Sequence, residues 1–116
     1  MDYEAVEKLQ RTFCICRDSH YVPAGPASKV GFAISTIGKT PVNGLRHPPQ
    51  GDTNGWYIWF GKEWSSAPYF FAPLHMAHLT KYCPEIIEYL GLKPGFRFLK
   101  AGDYLDVWYD AALLDV

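Results

Sequence analysis

Apolar residues change period several times along this chain, and each change predicts an element. The longest apolar run is Trp56, Tyr57, Ile58, Trp59 and Phe60, opened by Asn54-Gly55 and closed by Gly61. Its length and β-preferring residues predict a strand with both faces apolar, interior to a sheet. Trp56, Ile58 and Phe60 should bury on one face, with Tyr57 and Trp59 on the other. A loop bearing Trp64, Tyr69, Phe70 and Phe71 follows. Pro73 then suits the first turn of a helix that buries Leu74, Ala77 and Leu79 and leaves polar ends on His75, His78 and Lys81.

The pattern elsewhere is more regular. Residues 2–11 carry Val6 and Leu9 at helical spacing, with Asp2 as a plausible N-cap. Thr12 to Arg17 alternates, which predicts a first strand, and Val30 to Ile37 predicts a second. Residues 38–55 show no periodicity and are rich in Gly, Pro and Asn, so they read as one long loop. Pro84 opens a second helix through Ile86, Ile87 and Leu90, with Gly91 as its C-cap. Phe96–Lys100 and Asp106–Tyr109 read as strands joined by an Ala101-Gly102-Asp103 turn. The tail AALLDV is apolar enough to pack down. These elements predict one α+β domain over residues 1–116. A largely antiparallel five-stranded sheet would pack against two central helices, with an additional N-terminal helix.

Composition narrows the function classes. A chain of 116 residues, 48% hydrophobic and 16% aromatic, can bury a core without disulfides or metal. Its formal net charge of −1 argues against nucleic acid as the main partner. No apolar run approaches the roughly 20 residues needed to cross a bilayer, and MDYEAVEKLQR lacks the core of a signal peptide. Three cysteines, Cys14, Cys16 and Cys83, do not form a disulfide framework. A cytoplasmic protein is the expectation.

Candidate chemistry is sparse. His75 and His78 lie three apart with Cys83 nearby in sequence, enough for a metal site or a small enzyme, but no HExxH pattern accompanies them. Cys14-x-Cys16 lacks the spacing of a zinc or redox motif. Asp103, Asp106 and Asp110 lack the calcium-loop spacing and read as a solvated acidic face. No nucleophile elbow, phosphate loop or dinucleotide fingerprint occurs. The sequence therefore predicts no catalytic residues, no metal and no cofactor. It does show an aromatic surplus: eight of the nineteen Phe, Trp and Tyr residues fall between Trp56 and Phe71. Large aromatics outside a core anchor partners. A contact surface is expected on the Asn43–Asn54 and Trp64–Phe71 loops, through Arg46, His47, Trp64 and Tyr69, with Asp103 and Asp106 as a second patch. The alternative for Arg46 is an ion pair with Asp52 inside its own loop.

The stretches NGLRHPPQGDTNGWYIWFGKEW and FFAPLHMAHLTKYCPEIIEYLGLKPGFRFLKAGDYLDVWYDAALL resemble the bacterial immunity protein family numbered thirty-three and its close relatives. The shared pattern is a GW strand, an aromatic/acidic loop, a helix, a CPEII.YL segment and a PG.RF strand, over roughly residues 43–114. The loop KEWSSAPYFF is less acidic here than in those relatives. The resemblance implies a small, non-catalytic protein that neutralises a protein toxin by direct binding. A general ligand- or protein-binding regulatory module is the alternative, followed by a small enzyme using His75, His78 or Cys83.

Overall fold

The computed structural model describes residues 3–65, 67 and 69–115. Asp2, expected as an N-cap, lies outside them. Helix α1 runs from Tyr3 to Cys16 and therefore absorbs the segment expected as the first strand. Gln10 and Cys14 bury one turn apart with Phe13 beside them, whereas Ile15, on the opposite side, is exposed. That stripe has helical period, and the apparent Thr12–Arg17 alternation is incidental to it. Asp18 adopts the left-handed conformation, φ 57°. Ser19 N donates to Cys14 O and Asp18 N to Ile15 O, the paired bonds that close a helix C-terminus.

Six strands form a single sheet: β1 (Lys29–Phe32), β2 (Val42–Arg46), β3 (Thr53–Phe60), β4 (Ala72–His75), β5 (Phe96–Ala101) and β6 (Tyr104–Tyr109). Their order is β4-β1-β3-β2-β5-β6. Only the β1–β3 pair is parallel, so the sheet is mixed and has six strands instead of five. The additional strand β2 comes from the supposed long loop and occupies the sheet interior. Gly44 permits this, because a Cβ there would overlap the Phe98 ring packed above it. The expected second strand stops at Phe32 and gives way to a 3-10 turn over Ile34–Thr36.

The two expected central helices are also corrected. Pro73 lies in β4, an edge strand, where a missing backbone donor is tolerated. Met76 N and Ala77 N continue the pairing to Ser28 O and Pro26 O. Met76–Lys81 and Pro84–Tyr89 are then short 3-10 segments, the second opened by Pro84 and capped at its end by Leu90 rather than Gly91.

The inner face of the sheet carries Val30, Phe32, Val42, Trp56, Ile58, Phe60, Phe96 and Phe98. They pack against Leu79, Ile86, Tyr89 and Leu90 of the 3-10 layer, closed by Cys14 of α1. Trp56, Ile58 and Phe60 are buried there as expected, with Tyr57 and Trp59 opposite. The Trp56 indole donates to Leu90 O at 3.0 Å, tying sheet to layer. No helix is long and apolar enough to cross a membrane among the described residues.

Candidate partner-binding face

The outer face is only partly covered. After β3, the chain folds back and lays aromatic rings across it. Phe71 stands 5.2 Å from Tyr57 and 6.2 Å from Trp59 between centroids, and Trp64 stands 5.0 Å from Trp59 and 5.1 Å from Phe71. Phe70 meets Phe71 edge-on at 4.8 Å. Trp59 is buried beneath them, and its Nε1 has no hydrogen-bond partner among the described residues. Trp64 keeps 49% of its surface and Tyr69 keeps 95%. The apolar collar is therefore incomplete, and two large aromatics stand on its rim.

Strand register extends this face across the sheet. Trp59 pairs with Asn43, Asn43 with Leu99 and Leu99 with Asp106, so one row of outward side chains crosses four strands, about 14 Å at the usual strand spacing. A parallel row runs Tyr57, Leu45, Arg97, Trp108. Among the described residues no helix covers the β5–β6 end, where Asp106 and Tyr104 are exposed. The Arg97 guanidinium carbon lies 5.2 Å from the Trp108 ring centroid. Trp, Tyr and Arg are the residue types that dominate binding hot spots.

The expected site residues separate between the two faces. His47 reaches the outer face, half-buried, where Nδ1 donates to Leu113 O at 2.8 Å and the ring meets Tyr57 edge-on. That bond fixes the C-terminal 3-10 turn, Ala111–Leu114, and the tail packs down through Leu113. Trp64 and Tyr69 lie on the rim, and Asp106 ends the Trp59 row. Asp103 is exposed in the β5–β6 turn. Asp110 is engaged, accepting from Ala112 N and lying 3.7 Å from Arg97 Nη1, so the three aspartates do not form one solvated face.

Arg46 belongs to the inner face and is fully buried. Nε donates to Asn54 O at 2.9 Å, and Nη1 donates to Val22 O and Leu92 O at 2.7 and 2.8 Å. Burial without a carboxylate holds its pKa down at about 10. It cannot meet a partner, nor does it pair with Asp52, which bonds Lys29 at 2.9 Å. The sequence reading missed Leu99, Tyr104, Arg97 and Trp108. Their signal was present in the alternation of FRFLKAGDYLDVWY, whose other phase holds Phe96, Phe98 and Val107.

The groups considered for chemistry are not assembled. The rings of His75 and His78 are 5.9 Å apart. Cys83 is buried, and desolvation, with Glu85 nearby, pushes its thiol up to about 12, which disfavours the nucleophilic thiolate. Cys14 is buried and Cys16 exposed. No three His, Cys, Asp or Glu side chains converge on a metal position among the described residues. An apolar groove of about 370 Å³ lies between α1 and the Tyr21–Pro26 segment, lined by Val6, Tyr21, Ala24, Met76 and Ile87.

Fold and surface define a small α+β domain with one closed core and one open aromatic face. The Imm33-like domain model matches residues 9–110, nearly the whole chain, and the protein belongs to that family. Comparison with curated proteins gives no match, nor does comparison with solved structures.

Proposed function

We propose that this protein is an immunity protein that binds a bacterial protein toxin directly, in the cytoplasm, and acts without catalysis. The observation that carries the reading is the Imm33-like match over residues 9–110. The open outer face supports a binding role and supplies the contact surface. Trp64 and Tyr69 offer rigid rings that fill pockets with little loss of rotamer freedom, Asp106 adds charge to steer the approach, and Asp103 extends that charge at the adjacent turn. The covered part of the collar, Tyr57, Trp59 and Phe71, holds Trp64 in place.

Co-expression with the toxin-like product of a neighbouring gene tests this. Restored growth and co-purification are expected. Continued growth arrest with no complex would remove the reading for that toxin.

A ligand-binding module is the second reading, favoured by the groove beside α1, whose volume falls within the range of small-molecule sites. Ligand-induced thermal stabilisation abolished by Ala24→Trp, with toxin binding unaffected, would support it.

A further inference from the structure

The two edges of the sheet are built differently. β4 has four residues and carries Pro73, features that blunt an edge against pairing. β6 has six residues, keeps unbroken register with β5 from Tyr104 to Tyr109, and contains neither Pro nor Lys. Ala101 and Tyr104 close the hairpin, and Asp110 N donates to Gly95 O at 2.7 Å. In an antiparallel ladder this directs the backbone groups of residues 104, 106, 108 and 110 towards β5. Leu105, Val107 and Tyr109 therefore direct their N–H and C=O groups out of the sheet. Beyond Asp110 the chain turns back over the outer face to His47, and among the described residues β6 pairs with β5 alone.

We infer that this edge pairs antiparallel with β6 of a second copy, across a two-fold axis at Val107, continuing the sheet from one copy into the other. The aspartates select the register. Outward backbone groups must face each other, so the axis lies on an integral residue position between Leu105 and Tyr109. An axis at position 106 sets Asp106 opposite Asp106, and one at 108 sets Asp106 opposite Asp110; like charges directly opposed are unfavourable. An axis at Val107 avoids both and keeps the whole strand paired. On the inner face, Leu105 then meets Tyr109 of the second copy and Val107 meets Val107, extending an apolar row whose Leu105 and Val107 already pack against the core.

The outer face supplies an independent argument. Arg97 Nε is buried without a hydrogen-bond partner among the described residues, while its guanidinium lies over Trp108. In the Val107 register, Asp106 of the second copy stands opposite Trp108 as a non-hydrogen-bonded pair, with Cβ atoms about 5 Å apart. Its carboxylate is thereby delivered to the guanidinium stacked on that ring. The two-fold repeats the pairing, so one interface holds two such contacts.

Sedimentation equilibrium of the full chain across the micromolar range, combined with amide hydrogen exchange, tests this. A dimer is expected, with the Leu105, Val107 and Tyr109 amides becoming more protected as it forms. Asp106→Arg, at an exposed position, sets like charge against Arg97 and should weaken the dimer at least ~10-fold. Val107→Pro removes an outward donor at an edge position that tolerates proline and should leave a folded monomer by circular dichroism. A monomeric wild-type chain would overturn the inference, as would a dimer that Asp106→Arg does not weaken. Protection of those three amides only when toxin is added would assign the edge to a toxin strand and also overturn self-pairing.

Discussion

The indole of Trp64 stands 5.0 Å from that of Trp59 with the ring planes at 82°, so a half-exposed tryptophan rests on a buried one. This contact joins the loop after β3 to the strand at the centre of the sheet. Trp64 also meets Phe71, and ring pairs contribute about 0.5–1.5 kcal/mol each beyond area burial. Trp64→Ala should therefore lower unfolding free energy by about 1–3 kcal/mol in urea titration while the chain stays folded. A loss as large as that of a core tryptophan would place Trp64 in the core instead of on the rim.

Trp56 provides that comparison. It is fully buried on the inner face, packs against Phe98 at 5.7 Å and bonds Leu90 O. Trp56→Ala should destabilise by about 3–5 kcal/mol, as large core aromatics do. A thermal midpoint close to wild type would contradict the packing of β3 against the 3-10 layer.

Arg46 should behave as a structural residue. Removing it strips donors from the carbonyls of Asn54, Val22 and Leu92, of which Leu92 and Asn54 are buried residues. Each buried acceptor left unsatisfied costs about 1–3 kcal/mol, so the two together predict a loss of about 2–6 kcal/mol of stability for Arg46→Ala. Unchanged stability combined with weakened toxin binding would return Arg46 to the contact surface.

Alkaline pH should reveal the buried thiol. Cys83 titrates at about 12 in the folded protein because burial disfavours its thiolate, against an ordinary 9.0. The folded chain thus keeps a proton that the unfolded chain releases. The associated stability is fully present below pH 9 and is lost as pH rises towards 12, at up to ~1.4 kcal/mol per pH unit. Arg46 acts oppositely, but only above about 10, where the unfolded chain still holds its proton. Between pH 9 and 10 the decline should therefore be visible in wild type and shallower in Cys83→Ala, by denaturant titration at each pH. Identical slopes would contradict the burial of Cys83.

Legibility of the sequence followed the strength of its patterns. The apolar β3 run and the β5–β6 hairpin form as the pattern predicts, although β3 begins at Thr53 and takes in Gly55, and β6 begins at Tyr104 instead of Asp106. β2 was hidden because Val42, Leu45 and Arg46 are too few to display a period, and Gly44 reads as a breaker until the Phe98 ring above it is known. Pro73 is a helix starter and an edge-strand residue equally, and only the pairing with β1 decides between them. The candidate site was half legible: the aromatic surplus indicated a face and named Trp64 and Tyr69. Arg46 was misplaced because a guanidinium in a Gly/Pro-rich segment looks solvent-facing, and two of the three carbonyls that receive it, those of Val22 and Leu92, come from distant parts of the chain.

The central claim, that the open aromatic face binds the toxin, is tested most directly by titration calorimetry of the co-expressed toxin against Trp64→Ala and Tyr69→Ala. Tyr69 is almost wholly exposed, so its truncation leaves folding untouched and reads binding alone. Each variant should remain folded and weaken the complex by at least about 2 kcal/mol, roughly thirty-fold in Kd. Wild-type affinity in both folded variants would contradict the account.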